Sequence, residues 1–388
     1  MSYKVNFVSK RMDDIDKLKT FLDKDVEFIL FGVGRNFDLF RKCLDGKIKI
    51  SYCVDNNSKL QGTQIDGYEI KSPEELIHKN NKQKILILTG SINSVRKQLD
   101  HIGFSEGDDY CYVMEFIPMY YWFVEKKIYL TNISFIVTPN CTLNCKHCSI
   151  LISKSHSKKH RDLKALKRDI EVLFKNVDFV YNFKIMGGEP TMSPHFTEIL
   201  EYISEEYRNR IENLRVVTNG TIKLDDRTLK IIKGNNIQME INDYSEFVDY
   251  KYSISDYIEE LERREISYIS YRTTTDDQWV DFGDFNVEKF KKGLVTHNHF
   301  KKCAYYSRGL WGSKLYYCTI NAAAVNMGGM PVDESDFLDL ENVIEPQEFI
   351  EFELGVLRKG ATSLCSNCNG DYDVNKILIP AGEQMSVR

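Results

Sequence analysis

No apolar run in the chain approaches the roughly 18 residues that a membrane-crossing helix needs, which excludes a spanning segment. The opening residues, Met-Ser-Tyr-Lys-Val-Asn, lack the apolar core of a signal peptide, so a cytoplasmic protein is expected. Basic excess is missing too. The net charge is −5, and nothing in it favours non-specific binding to nucleic acid. No repeat and no low-complexity tract interrupts the 388 residues, which removes solenoids and disordered linkers from the reading.

What is present is an ordinary soluble composition, 42% hydrophobic and 28% charged, with length enough for two or three domains. The ten cysteines are its unusual feature. Their clustering argues for metal sites in a reducing compartment rather than disulfides. Cys141, Cys145 and Cys148 stand at C-x3-C-x2-C. Iron–sulfur cubanes are normally held by four thiolates. Three in one tight loop leave one iron without a protein ligand, the open position at which a catalytic metal meets its substrate. A zinc loop or three plain buried thiols are the rival readings, although zinc sites favour paired C-x2-C units. Residues 133–137 ahead of the loop read as a buried strand. A strand that delivers such a loop at its carboxyl end is where β/α barrels place active sites.

Downstream, strands alternate with helical patterns. Strands are predicted at 133–137, 179–186, 214–218, 237–241 and 267–273, and helices at 162–175, 194–210, 226–233 and 253–264. Such alternation makes a parallel sheet, open or closed. Polar or glycine-rich turns follow the strands: Gly187-Gly188-Glu189-Pro190, Thr218-Asn219-Gly220 and Asn242-Asp243-Tyr244. Glycine lets backbone approach a ligand. The Glu189 carboxylate can accept from an ammonium group or shape its own loop, and Arg272 can fork onto a carboxylate or pair at the surface. Beyond the last strand, Asp276, Asp277, Trp279, Asp281 and Asp284 read as a polar pocket wall near a sixth strand or as a solvated acidic loop.

The cysteine triplet with Gly187-Gly188-Glu189-Pro190 resembles the radical S-adenosylmethionine (radical SAM) superfamily. His147 stands where that family usually has an aromatic residue before the third cysteine. The resemblance implies a partial (β/α)6 barrel over residues 126–290. It also implies a SAM-binding 4Fe-4S cluster on Cys141, Cys145 and Cys148, and S-adenosylmethionine held near Gly187, Gly188, Glu189, Pro190, Thr218, Asn219, Asn242 and Arg272.

Residues 1–125 read as a separate Rossmann-like α/β domain. A strand runs into Gly32-Val33-Gly34 and then a helical pattern, and a second strand ends in Asp55, where a ribose hydroxyl would be held. Phe37 occupies the third glycine position, so the fingerprint is incomplete. The domain resembles those attached to sugar-modifying enzymes, and nucleotide-sugar binding, docking and a purely structural role stay open. Cys43, Cys53 and Cys111 read as core residues.

Residues 291–388 carry Cys303, Cys318, Cys365 and Cys368, spaced C-x14-C-x46-C-x2-C, with a predicted hairpin around Gly312-Ser313. Four thiolates suit a fully ligated 4Fe-4S cluster or a structural zinc ion. The segment resembles the small α+β twitch domain, the short relative of the SPASM domain, which implies an auxiliary 4Fe-4S cluster.

For function, the resemblance implies reductive cleavage of S-adenosylmethionine to a 5′-deoxyadenosyl radical and hydrogen abstraction from a substrate. An adjacent hydroxyl then lets the substrate radical lose a proton and one electron, a net two-electron oxidation. Twitch relatives include an aminocyclitol dehydrogenase and enzymes that mature other enzymes. No winged-helix peptide-recognition segment is found, which favours a sugar, nucleotide-sugar or cyclitol over a leader peptide. An oxidoreductase is therefore expected, supplied with electrons by a flavodoxin or ferredoxin. Sugar epimerisation, peptide or protein maturation, and a non-catalytic metal-binding scaffold remain the alternatives.

Overall fold

Short apolar runs build the first sheet, two of them ending in glycine turns at Gly32 and Gly90. The computed structural model describes residues 16–156, 158–251, 253–283, 303, 307–342, 345–355, 357, 361–371 and 375–385. Two units emerge: Met1–Lys127 with Val356–Lys359, and Ile128–Gly355 with Gly360–Arg388. The first contains β1 (Glu27–Phe31), α1 (Arg35–Leu44), β2 (Lys49–Val54), β3 (Gln64–Ile65), β4 (Tyr68–Lys71), β5 (Gln83–Ile87), α2 (Ile92–Ile102), β6 (Tyr110–Tyr112) and α3 (Val113–Tyr120). Their sheet has the order β3-β4-β2-β1-β5-β6, parallel throughout except for the β3–β4 hairpin. The chain leaves β1 for β2 on one side and returns to β5 on the other. A crevice therefore opens beside β1, at the kind of switch point where open α/β sheets bind ligands. Gly32 (φ +104°) makes the first turn, and a Cβ there would lie 3.0 Å from the Thr89 side chain. Phe37 is fully buried, as are Cys53 and Cys111.

In the second unit every strand and helix predicted between residues 128 and 279 is present. They are β7 (Tyr129–Ile136), α4 (Leu163–Asn176), β8 (Phe179–Met186), α5 (Phe196–Glu206), β9 (Ile211–Thr218), α6 (Asp226–Gly234), β10 (Gln238–Asp243), α7 (Ile254–Arg263) and β11 (Tyr268–Arg272). Side-chain caps start three of the helices: Asp162, Asp225 and Ser253 each accept a first-turn N–H. The central strands are largely buried, β7 almost throughout and β8 and β9 over most of their length, as strands covered by helices on a parallel sheet are.

The sixth parallel strand departs from the sequence expectation. Residues near 279 form β12 (Gln278–Val280), which pairs antiparallel with β16 (Leu378–Pro380) in a sheet of its own. It is β13 (Arg308–Trp311) that extends the parallel run, beside β7 at the opposite edge. The predicted hairpin is β13 with β14 (Lys314–Tyr316), and β15 (Phe337–Asp339) adds to it. Helices α8 (Thr319–Asn326) and α9 (Gln347–Glu353) complete the elements discussed below. The segments expected as barrel and as auxiliary domain thus share one continuous sheet and one unit. Asp284 and the 291–302 stretch lie outside the described residues.

Two buried ion pairs pin this added edge. Glu353 of α9 accepts from Thr131 N (3.0 Å) on β7 and Arg308 Nε (3.1 Å) on β13. Asp169 of α4 accepts from Arg161 Nη2 (2.5 Å) and from Gly312 N (2.9 Å) and Ser313 N (2.6 Å) at the hairpin turn. Removing one member of a buried pair strands the other's charge, at about 3–5 kcal/mol. Asp169→Ala is therefore expected to lose about that much stability. Urea unfolding checks it; a loss below about 1 kcal/mol, the range of surface pairs, would mean the hairpin is held by something else.

Candidate functional site

The loop 138–148 leaves the carboxyl end of β7 and is laced to the turn after β8. Gly188 N donates to Thr138 O (2.9 Å) and Glu189 N to Asn140 O (2.7 Å). That approach explains both glycines. A Cβ on Gly187 would lie 2.6 Å from Thr138 O, and one on Gly188 would drive into the Asn140 carbonyl and sit 2.9 Å from Cys141 Cβ. The pair serves the closeness of two backbones as well as exposure to the cavity.

Beneath this turn the Glu189 carboxylate is wholly buried. It accepts from Thr191 N (3.2 Å), Thr191 Oγ1 (2.6 Å), Thr218 Oγ1 (2.8 Å) and Asn219 N (2.7 Å). Burial raises its pKa above the ordinary carboxylate value despite the four donors that pull it down. Its place is to join the turns after β8 and β9.

Cys141, Cys145 and Cys148 line a cavity of about 340 Å³ together with Gly187, Gly188, Thr218, Asn219 and Asn242, a size suited to a small-molecule site. Eight of the residues expected from the sequence are thus brought together. Pro190 is buried behind the turn and Glu189 lies under it. Arg272 is not brought in: its side chain is 66% exposed and pairs with Glu246 at 3.7 Å. β11 is an edge strand whose last three residues, Ser270, Tyr271 and Arg272, are all exposed. Tyr244, Trp279, Val280 and Phe282 form an apolar wall, with the Tyr244 and Trp279 rings edge to face at 5.9 Å. Of the acidic stretch, Asp277 accepts from Thr274 N and Asp281 from Gly283 N, so both shape turns.

Each sulfur of the triplet meets N–H donors. Leu143 N (3.4 Å) and Asn219 Nδ2 (3.6 Å) donate to Cys141 Sγ, and Gln384 Nε2 (3.2 Å) donates to Cys145 Sγ. Backbone N–H groups of Ile152 and Ile150 serve Cys148. Burial pushes the Cys141 thiol up to about 12 and Cys148 to about 11, so both are neutral until a metal displaces their protons. Half-buried sulfurs that face a cavity and are supplied with donors fit thiolate ligands of a cluster.

A second group forms where Cys303, Cys318, Cys365 and Cys368 come close enough to perturb one another. Burial is the largest cause, pushing Cys368 up to about 12. Gly370 N donates to Cys368 Sγ (3.3 Å). Between the last two cysteines, Asn367 Nδ2 is buried without a partner. A buried amide donor is costly to leave unpaired, and an acceptor held by these thiols would satisfy it. Among the described residues no three His, Cys, Asp or Glu side chains close on a single ion. Cubane thiolates each bind a different iron and need no such convergence. Cys318, Cys368 and Phe282 pack against one apolar cluster of Leu151, Ile320, Ala324, Met330 and Leu364, and Phe282 also lines the first cavity. The first cavity and the second cysteine group thus border one shared apolar cluster.

Residues 135–279 match the Radical SAM superfamily. The chain carries a radical SAM domain. The cofactors of such a domain are a 4Fe-4S cluster and S-adenosylmethionine, and Cys141, Cys145, Cys148 and their cavity fit them. Residues 25–108 match the family described as C2185-like, N-terminal. A bacteriocin biosynthesis protein, AlbA of Bacillus subtilis, is 30% identical over 100 residues, which are 26% of this chain and 20% of that protein. A probable GTP 3′,8-cyclase of Methanococcus maripaludis is 29% identical over 87 residues, 22% of this chain and 27% of that one. The matches therefore span about a fifth to a quarter of these relatives' lengths. Among solved structures, BtrN in complex with AdoMet and 2-DOIA aligns with TM-score 0.41 and 16% identity, covering 64% of this chain and 99% of that one. Streptococcus suis SuiB bound to the precursor peptide SuiA aligns with TM-score 0.31 and 11% identity, covering 71% and 82%.

The first unit has its own cavity of about 550 Å³ at the crevice beside β1, lined by Gly32, Gly34, Asp55, Thr89, Ser91 and Ser94 among others. Asp55 reaches it as anticipated for a ribose-binding acid, yet its oxygens already accept from Val33 N (2.9 Å) and Asn57 N (2.8 Å). Those bonds hold the glycine turn.

Proposed function

We propose that the chain is a radical SAM oxidoreductase that carries out a two-electron oxidation of a sugar, nucleotide-sugar or cyclitol, in the cytoplasm, with flavodoxin or ferredoxin as reductant. When bound, the two clusters supply the electron chemistry, one for cleaving S-adenosylmethionine and one for accepting the electron left on the substrate. The chain's residues do the rest. Asn219, Asn242 and the Gly187-Gly188 backbone offer polar groups to the cosubstrate. The Tyr244, Trp279 and Phe282 wall excludes water from the reacting carbon. Cys303, Cys318, Cys365 and Cys368 would hold the auxiliary cluster.

The observation that carries this reading is the position of Phe282, which faces the cavity and packs on the same apolar cluster, Leu151, Ile320, Ala324, Met330 and Leu364, that Cys318 and Cys368 pack on. An electron leaving the substrate would have an acceptor site across that shared cluster. Among the described residues, the cysteines lining the cavity are the three of the triplet, so none of them is a spare thiol for the hydrogen donation that an epimerisation requires. Peptide maturation is the second reading, supported by the bacteriocin biosynthesis relative.

Anaerobic reconstitution with a panel of nucleotide-sugars, aminocyclitols and peptides tests the proposal. The wild-type protein is expected to make 5′-deoxyadenosine with one polar small molecule and release a product two hydrogens lighter. Cys365→Ala is expected to keep cleavage within about threefold, the scale of modest context effects, while product formation falls at least about 10²-fold. An epimer of unchanged mass, or turnover of peptides alone, would overturn the oxidation.

A further inference from the structure

The donor to Cys145 comes from far along the chain. Past β16, residues 381–385 cross the cysteine loop. Cys145 and Gln384 form an antiparallel bridge. Lys146 N donates to Glu383 O (2.8 Å) and Met385 N to Asn144 O (2.8 Å), while Lys146 Nζ pairs with Glu383 (3.0 Å). Gly382 (φ +69°) turns the chain into place, where a Cβ would lie 2.7 Å from the Phe247 ring. Ala381 N donates to Asp277 O (3.1 Å), and β16 pairs with β12, which carries Trp279 of the cavity wall. One strap therefore connects that wall with the triplet.

Within the strap the Gln384 side chain is oriented at both ends. Its Oε1 accepts from Asn144 N (2.8 Å), and its Nε2 donates to Gly382 O (2.7 Å) and to Cys145 Sγ (3.2 Å). Flipping the amide would set NH2 against the Asn144 N–H and oxygen against the Gly382 carbonyl, so these partners decide the assignment.

We propose that Gln384 is a positioning residue for the cluster thiolate of Cys145 and sets the cluster's reduction potential. It rests on the radical SAM assignment and goes beyond it. Reduction adds negative charge to a cluster, and hydrogen bonds to its sulfurs stabilise that charge and raise the potential. Outer-shell partners of this kind also orient the ligand they touch. The amide does both: the loop N–H fixes its oxygen, which aims its nitrogen at the sulfur.

The test uses full-length, anaerobically reconstituted protein and two variants. Gln384→Met keeps the side chain's length without its donor, and Gln384→Asn withdraws the amide by one methylene. The readouts are iron per chain and the midpoint potential of the EPR signal that changes on adding S-adenosylmethionine, neither of which is turnover. Both variants are expected to shift that potential negative, while Met385→Ala, which keeps the strap's backbone bonds, leaves it unchanged. Loss of iron from a variant whose apoprotein keeps its thermal midpoint supports the same assignment. Unchanged potential at unchanged iron in whichever variant folds overturns it. A wild-type protein with no such EPR signal would instead count against the radical SAM reading, so the two failures are distinguishable.

Discussion

Alanine at position 145 will reduce the cleavage of S-adenosylmethionine to background, while alanine at position 111 will not. The residue type is the same and the surroundings decide the outcome. Cys111 is fully buried in β6 of the first unit, where its thiol behaves as a small apolar side chain. Losing it costs about 1 kcal/mol of packing at most. Cys145 lines the cavity and accepts from Gln384. Loss of an outer-shell partner alone costs a metal site about 10–100-fold, and loss of a ligand from a set of three leaves no stable cluster to reduce. Reductive assays of 5′-deoxyadenosine, run beside iron analysis, check both variants. Cleavage by the Cys145→Ala protein at more than about a tenth of the wild-type rate would remove Cys145 from the ligand set.

Much of this site could be read from the sequence because its parts repeat a local rule. The parallel strands β7, β8, β9 and β10 each run into a turn with glycine or polar residues, and those turns meet at one end of the sheet. The triplet, Gly187-Gly188, Thr218-Asn219 and Asn242 therefore converge once the five strands are laid side by side. Residues that depend on distant chain crossings carried no such signal. Gln384 lies 239 positions from the sulfur it touches, in a stretch with no motif. The placement of β13 beside β7 depends on Asp169, Arg161, Glu353 and Arg308, whose spacing is irregular. Arg272 was misleading for the opposite reason. Its residue type suits a ligand carboxylate, but it stands at the exposed end of an edge strand, where it pairs with Glu246. Trp279 and Phe282 sit among acidic residues whose sequence reads as a polar pocket wall or as a solvated loop. The structure uses those acids to shape turns and the aromatics to face the cavity.

Gly188 tests the same geometry without touching a sulfur. Its N–H holds Thr138 O, and the space its missing Cβ would fill belongs to the Asn140 carbonyl and to Cys141 Cβ at 2.9 Å. Both neighbours sit on a loop tied down elsewhere. Asn140 Nδ2 donates to Lys158 O (2.8 Å) and meets His160 Nε2 (3.1 Å), and Thr138 Oγ1 meets His160 Nδ1 (3.0 Å). A methyl group therefore cannot be accommodated by turning a flexible side chain. The β8 turn and the cysteine loop must separate, breaking the Gly188 and Glu189 N–H bonds and moving Cys141 away from Cys145 and Cys148. Overpacking of this kind costs about 1–3 kcal/mol, with roughly 1 kcal/mol more for each backbone bond lost. The second unit retains its sheet, so Gly188→Ala is expected to fold with a lowered midpoint. It should take up iron at the first site at least about 10-fold more weakly, the factor that an outer-shell disturbance produces. Gly187→Ala, facing Thr138 O at 2.6 Å, should do the same, whereas alanine at Gly234, with open space around its Cβ position, should change neither. Iron titration and thermal melts of the three variants decide the matter. Equal iron affinity in all three would mean that the approach of the two backbones does not set the cysteine geometry.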